Sequence, residues 1–569
     1  MLFLKIQIFN MSINKFYILL AGCFFLCNLN ITSACTNFLI TKGATTDGSC
    51  MISYAADSHT LYGALHYSPA KDYPQNAMRE VYDWDSNKFM GEIPQVPHTY
   101  SVVGNINEFQ VAIGETTFGG RKKIQSQKDA IMDYGSLMYI ALERSKTARE
   151  AIKVMTSLVE EYGYASEGES FSISDPNEVW IMEMIGKGNN NKGAVWVARK
   201  IPDGYVCGHA NQARITTFPL NDSDNCLYAK DIITFAEEMN WFDGKNKDFS
   251  FSDIYAPVNF EGARFCDARV WAGFRKIASG MDKYLSYIEG NVKFGGKYNF
   301  ATNRLPLWVK PDKKLSLKDA FRLMRDHFEG TPLDMTKDPG AGPFKLPYRW
   351  RGLTWEIDST TYINERAVST QQTGFSFITQ SRSWLSNPVG GILWFGVDDT
   401  FSTCYAPMYC GIKSVPECFA EGNGDLLTYS STSAFWTFNK VANFAYLRYE
   451  DMIVPIKKLQ SQLENKFISY VPFIDEAAES LLKKDPQKAR EFLTEFSINE
   501  ANNMTLKWGK LYEFLLVKYI DGNIKKGKDG KFSRTKDGIS VYPDQPGYPE
   551  WWYRAIVKST GEHLKEIIN

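Results

Sequence analysis

Hydrophobic and polar positions alternate in short runs through the first part of this chain and switch to helical spacing toward its end. Residues 35–41 and 50–54 read as strands separated by the turn Thr46-Asp47-Gly48-Ser49. Residues 100–105 and 109–115 form a predicted hairpin ending on Glu115-Thr116-Thr117. Two helices are expected next, over residues 128–145 and from a capping box at Thr147-Ala148-Arg149-Glu150. Ala151, Ile152, Met155, Leu158 and Val159 line one face of the second, and Gly163 stops it. Strands return over 171–174, 179–185, 194–201 and 205–210, with Pro202-Asp203-Gly204 as a turn. Between 216 and 350 the pattern loosens, with helices expected over 229–241 and 316–328 and an ordered surface excursion over 331–349. Strands resume at 375–380 and 392–397. Beyond about residue 430 the spacing is helical over 433–463, 474–484, 486–496 and 499–519, so residues 431–569 are expected to form a mainly helical C-terminal subdomain. The lysine-rich stretch 522–536 reads as a solvated loop, and the aromatic tail Tyr548-Pro549-Glu550-Trp551-Trp552-Tyr553 is expected to pack back on the core.

An apolar run over residues 16–27 follows Lys15 and leads through a short polar spacer to Thr32-Ser33-Ala34. Small residues there fit a signal-peptidase site, so residues 1–34 are expected to be a secretory signal peptide and the protein to be exported, periplasmic or extracellular. A lipoprotein box at Leu20-Ala21-Gly22-Cys23 is the competing reading, although the apolar run continues past it. Cleavage after Ala34 would make Cys35 the first residue. One residue would then carry a thiol and a free α-amine, whose ordinary pKa of about 7.7–8.0 suits it to take the proton of a thiol near 8.5.

The composition narrows the alternatives. A net charge of −1 over 569 residues gives no pull toward nucleic acid or anionic membrane, and no apolar run after residue 34 reaches membrane-spanning length. The six histidines show no zinc-site spacing, and no Gly-x-Ser-x-Gly elbow or phosphate-binding glycine loop is present. No metal or cofactor is therefore expected. Eight of the ten cysteines follow residue 34, so export permits a disulfide, with Cys207 to Cys226 or a pair among Cys404, Cys410 and Cys418 the local candidates. His209, close to Cys207, is read as structural, with a Cys/His dyad as the alternative.

The stretch Cys35 to Ser58, with its Asp57, resembles the opening of the cysteine dipeptidases among the N-terminal-nucleophile (Ntn) amide hydrolases, relatives of penicillin V acylase and bile salt hydrolase. Asn107 to Thr117, Ser170 to Gly186, Ala210-Asn211-Gln212-Ala213-Arg214-Ile215, Gln380-Ser381-Arg382-Ser383 and Gly390-Gly391-Ile392-Leu393-Trp394 resemble that family's blocks in its order. The resemblance implies an α+β fold, a four-layer αββα Ntn-hydrolase sandwich over residues 35–430. It implies hydrolysis of a small peptide by attack of Cys35 and resolution of a thioester by water, with Asn211 donating to the oxyanion and Asp57 orienting the α-ammonium. An Asx turn is the alternative for Asp57. Many relatives carry an arginine three residues before that acid, where this chain has Tyr54, and Arg382 is expected to supply the cation, beside the nucleophile or against a substrate carboxylate. Glu115 and Thr116 are expected to line the substrate site, Glu115 facing an amine, unless it is simply an exposed strand end. Two further functions stay open: an acylase of the same fold acting on N-acyl amides, and a non-catalytic secreted binding protein, which the 14% aromatic content would suit.

Overall fold

Asn37–Ile40 and Met51–Asp57 are buried at every position, as strands enclosed on both faces must be. Asp47 makes the turn between them by accepting from the Ser49 backbone N–H at 3.1 Å, while Gly48 takes the left-handed φ of +82° that favours glycine. In this computed structural model residues 35–567 are described, apart from 126, 190 and 529, so the expected signal peptide lies outside the described residues. The described chain is an α+β structure.

The two strands are central in a seven-stranded sheet ordered Trp308–Val309, Val206–His209, Asn37–Ile40, Met51–Asp57, Thr373–Ser381, Gly391–Val397, Ala406–Tyr409, antiparallel throughout. An eight-stranded sheet runs Cys226–Tyr228, Ala194–Lys200, Val179–Gly186, Gly168–Ser174, Ala112–Gly119, Ile106–Asn107, Val102–Val103, Tyr67–Ser68. Asn37–Ile40 and Met51–Asp57 pack against Ala112–Gly119 and Gly168–Ser174 of that second sheet. Helices Tyr134–Arg144 and Ala148–Tyr162 lie on the second sheet and close a core of Ile113, Ile173, Trp180 and Met182. Helices Ala268–Ile277, Leu317–Met324, Ala434–Tyr446, Tyr449–Leu482 and Pro486–Tyr519 contact strands of the first.

Local signals explain most boundaries. Thr147 caps its helix by accepting from Glu150 N–H at 3.2 Å, and Gly163 ends it at φ 77°. The preceding helix starts at Tyr134, later than its apolar spacing suggests, because Asp133 accepts from Gly135 and Ser136 N–H at 2.8 and 3.0 Å and so fixes the first turn. Ser316 and Asp319 form a reciprocal capping box before Leu317–Met324, whereas the helix expected over 229–241 shrinks to Thr234–Glu238. The excursion at 331–349 is built from the short turns Met335–Lys337 and Pro339–Ala341.

The C-terminal helices differ most from expectation. Tyr449–Leu482 runs unbroken through Pro455 and Pro472, and Pro486–Tyr519 is likewise one helix. Each packs along the other, so tertiary contact overrides the local cost of proline. The aromatic tail does not pack on the core. Its helix Glu550–Thr560 has no buried residue; Tyr548 meets Tyr553 at 5.7 Å and Trp551 meets Trp552 at 5.3 Å, while Tyr548 also reaches the partly exposed Phe344 at 6.0 Å. All eight described cysteines are thiols, so neither local disulfide candidate is bridged.

Arg382 is placed by this packing. Its guanidinium meets Asp475 of the Tyr449–Leu482 helix at 2.5 and 3.1 Å and donates to the Gly390 and Val389 carbonyls at 2.9 and 2.7 Å. The pair is buried and Tyr409 Oη adds a bond to Asp475 at 2.8 Å. The position expected to hold a cation at the nucleophile instead ties the first sheet to the C-terminal helices. Arg382→Ala should therefore destabilise the protein by about 3–5 kcal/mol in denaturant unfolding, the cost of stranding a buried carboxylate, while the fraction that stays folded keeps its catalytic constants.

Candidate active site

Cys35 sits just ahead of the Asn37–Ile40 strand, where Thr36 and Ala55 exchange backbone hydrogen bonds of 3.3 and 3.1 Å. That pairing brings the residue beside the end of Met51–Asp57. The side chain is 1% exposed. Its Sγ lies 3.7 Å from Tyr54 Oη and 3.6 Å from Glu115 Oε1, and Tyr54 Oη donates to Glu115 Oε1 at 2.5 Å. Gly114 makes room for this contact, since a Cβ there would stand 3.3 Å from the Tyr54 Cβ. Tyr54 is held edge-on between Phe375 and Phe377, at 5.7 and 5.5 Å. Burial raises the thiol pKa well above its usual value, and the charges of Glu115 and Asp57 raise it further.

Glu115 is a buried residue within its strand, not an exposed strand end. Its carboxyl lies next to that of Glu169 on the adjacent strand, and Thr117 Oγ1 donates to Glu169 Oε1 at 2.7 Å. Burial raises both carboxyls, and Glu115 raises Glu169 further. Thr116 falls on the alternate face of the strand. Its hydroxyl is 2.7 Å from His209 Nδ1, and Ser172 Oγ is 2.7 Å from His209 Nε2. With both ring nitrogens so engaged and burial pushing its pKa down to about 3, His209 is a neutral structural residue and not the partner of a Cys/His dyad.

Asp57 ends its strand buried, and its Oδ1 accepts from Thr373 Oγ1 on the neighbouring strand at 2.7 Å, a bond across the sheet in place of an Asx turn. Among the described residues no hydrogen bond reaches its buried Oδ2. Burial lifts the Asp57 pKa to about 7, against the pull of Arg366, Arg269 and Arg351. Asn211 follows the Val206–His209 strand in the left-handed region at φ 64°, which asparagine tolerates better than most residues. Its amide donates to the Thr117 carbonyl at 2.7 Å.

Arg269 joins these parts, and sequence reasoning missed it. It is fully buried on the helix Ala268–Ile277. Nη1 donates to the Cys35 carbonyl at 2.6 Å and to Thr36 Oγ1 at 2.8 Å. Nη2 donates to the Ala210 carbonyl at 2.9 Å and to Asn211 Oδ1 at 2.8 Å. Nε donates to the Phe265 carbonyl at 2.8 Å. The available signal was a lone charge inside the otherwise apolar Ala268-Arg269-Val270-Trp271-Ala272-Gly273-Phe274. Cys35, Asp57, Asn211 and Glu115 thus come together, whereas Arg382 and Thr116 are turned to other partners.

A thiol beside a carboxyl pair, an amide held by two fixed partners and a buried guanidinium is an arrangement suited to acyl transfer. The match to the peptidase family C69 model covers residues 34–462, and the chain belongs to that family. Among curated relatives it is 26% identical over 408 residues to a probable dipeptidase of Latilactobacillus sakei, covering 68% of this chain and 76% of that protein. It is 24% identical over 518 residues to probable dipeptidase B of Streptococcus pyogenes serotype M1, covering 88% and 95%. A probable dipeptidase of Salmonella dublin is 22% identical over 401 residues, covering 67% of this chain and 82% of that protein.

Glu115 raises the Cys35 pKa, so neutralising it should lower that pKa. Glu115→Gln should speed iodoacetamide labelling of Cys35 at pH 8 by about tenfold per pKa unit gained, as read by peptide mass spectrometry. An unchanged rate would place the carboxyl too far from the sulfur to matter.

Proposed function

We propose that this protein is an exported dipeptidase of the Ntn-hydrolase type, in which removal of residues 1–34 leaves Cys35 as both nucleophile and, through its α-amine, general base. The observation that carries the reading is that the single guanidinium of Arg269 holds both the Cys35 carbonyl and the Asn211 amide, with the Asp57 charge acting on the Cys35 thiol. Two stacked antiparallel sheets between helices support the four-layer αββα architecture expected of such enzymes, with residues 431–569 as a helical subdomain against the first sheet.

In this mechanism the α-amine takes the thiol proton and the thiolate attacks the peptide carbonyl. The Asn211 amide, oriented by Thr117 and Arg269, donates to the oxyanion, and the amine returns the proton to the leaving nitrogen. Water then hydrolyses the thioester. The Asp57 carboxylate, whose Oδ2 has no hydrogen-bond partner among the described residues, holds the α-ammonium between turnovers. Glu115, with Tyr54, replaces the usual arginine by an acidic wall that suits a substrate ammonium group.

One observation favours an N-acyl amide hydrolase as the second reading. A cavity of about 530 Å³ lies against Phe375, the ring that abuts Tyr54, and carries Leu61, Tyr62, Trp84, Tyr139 and Phe395, walls that would suit an apolar acyl group. Turnover of a dipeptide panel set against penicillin V separates the two.

N-terminal sequencing of the exported protein should begin at Cys35; a lipidated Cys23 with an intact Ala34–Cys35 bond would rule out the amine as base. Asn211→Ala should lower kcat by about 10²–10³ in a folded protein, and an unchanged kcat and KM would make the asparagine purely structural. Cys35→Ser should fold and be exported yet lose most activity, because an alcohol is a far weaker acid than a thiol.

A further inference from the structure

Arg366 is 4% exposed, and its Nε and Nη2 are buried without a hydrogen-bond partner among the described residues. Its sequence neighbour Glu365 does not neutralise it, because Arg264 grips that carboxylate from two nitrogens, Nε at 3.0 Å. Arg264 is followed by Phe265, whose carbonyl accepts from Arg269 Nε at 2.8 Å, so its grip on Glu365 sets the Glu365-Arg366 segment close to Arg269. The charges of Arg269 and Asp57 act on both Arg366 and Arg351, and the Oδ2 of Asp57 has no hydrogen-bond partner among the described residues. Burial and mutual repulsion draw Arg366 well below the usual arginine range, and Arg351 is pushed down to about 10. A buried guanidinium with idle donors is costly, and a bound anion removes the cost.

We propose that Arg366, with Arg351, forms the site that takes the C-terminal carboxylate of the substrate. This rests on the dipeptidase reading above and names the residues that make the substrate a dipeptide. In a dipeptide the carboxylate carbon is two bonds from the scissile nitrogen, so it must lie close to the thiol that attacks the adjoining carbonyl. Arg269, close to the Glu365-Arg366 segment, donates to the Cys35 carbonyl at 2.6 Å, the Asp57 charge acts on the thiol and on both arginines, and a guanidinium fork matches a carboxylate with two parallel bonds. Each further residue moves the terminal carboxylate by about 3.3–3.6 Å, beyond the reach of a fixed fork. The same pair therefore selects for charge and for length. Arg382, the cation that the sequence suggested for this task, is occupied by Asp475.

The test compares Ala-Ala with Ala-Ala amide, which differ only in the terminal charge. Calorimetric binding to Cys35→Ser protein reads the site without turnover. The amide should bind at least 100-fold more weakly than the free dipeptide, and in the active enzyme should lose a similar factor in kcat/KM, carried by KM. Arg366→Gln should weaken Ala-Ala to the level of the amide and leave the amide unchanged, and Arg366→Lys should recover part of the loss. Equal binding of acid and amide to the Cys35→Ser protein overturns the carboxylate site and needs no arginine variant to be folded. Tight binding of an Ala-Glu amide also overturns it, by assigning the arginines to an acidic side chain. Strong discrimination in binding without hydrolysis of any dipeptide supports the carboxylate site and overturns the dipeptidase reading.

Discussion

A guanidinium sealed from water must give every N–H an acceptor, and meeting that demand at Arg269 fixes the geometry around Cys35. Its five acceptors come from three separate places: the Cys35 carbonyl and Thr36 hydroxyl at the start of the first strand, the Ala210 carbonyl and Asn211 amide after Val206–His209, and the Phe265 carbonyl one helical turn back. None of these can move far without stranding a donor. The same contacts hold the Asn211 amide from its oxygen side while the Thr117 carbonyl holds its nitrogen. The two sheets are thereby locked together at the thiol, since Thr117 belongs to one and Cys35 leads into the other.

The electrostatics on the two sides of that thiol are opposite in sign. The carboxyls of Glu115 and Glu169 lie on one side; on the other, Asp57 feels the charges of Arg366, Arg269 and Arg351. Under the proposed function a zwitterionic peptide has complementary ends, so one binding orientation would satisfy both walls and the reverse orientation neither. Placing Tyr54 where relatives carry arginine fits this division. An arginine there would neutralise Glu115, whereas the phenol of Tyr54 hydrogen-bonds to it without adding a charge.

The parts of this site that were legible in the sequence are those carried by local signals. Strand periodicity around Cys35, the turn at Asp47-Gly48, the Thr147 cap and the asparagine after Gly208-His209-Ala210 each involve neighbours within a few residues. Arg269, Arg351, Arg366 and Glu169 were not legible. Their partners lie far away in sequence, as with Arg269 and Cys35, so no local pattern marks them apart from a lone charge in an apolar run. Arg382 shows the converse error: its block matches the family, but the partner that decides its role, Asp475, lies on a helix almost a hundred residues away. The long C-terminal helices were misjudged for a related reason, since Pro472 is a local break signal that packing between two 34-residue helices overrides.

The central claim is that the α-amine of Cys35 is the base for its own thiol. The most direct measurement is kcat for a dipeptide by the mature protein and by a variant that keeps one residue ahead of Cys35 through a non-cleavable start. That variant retains the thiol, Arg269 and Asn211 and moves only the amine. Loss of most activity, with the fold and thiol content unchanged, is the result predicted for an N-terminal nucleophile. Equal activity in the two proteins would contradict it, and would require another base beside the thiol.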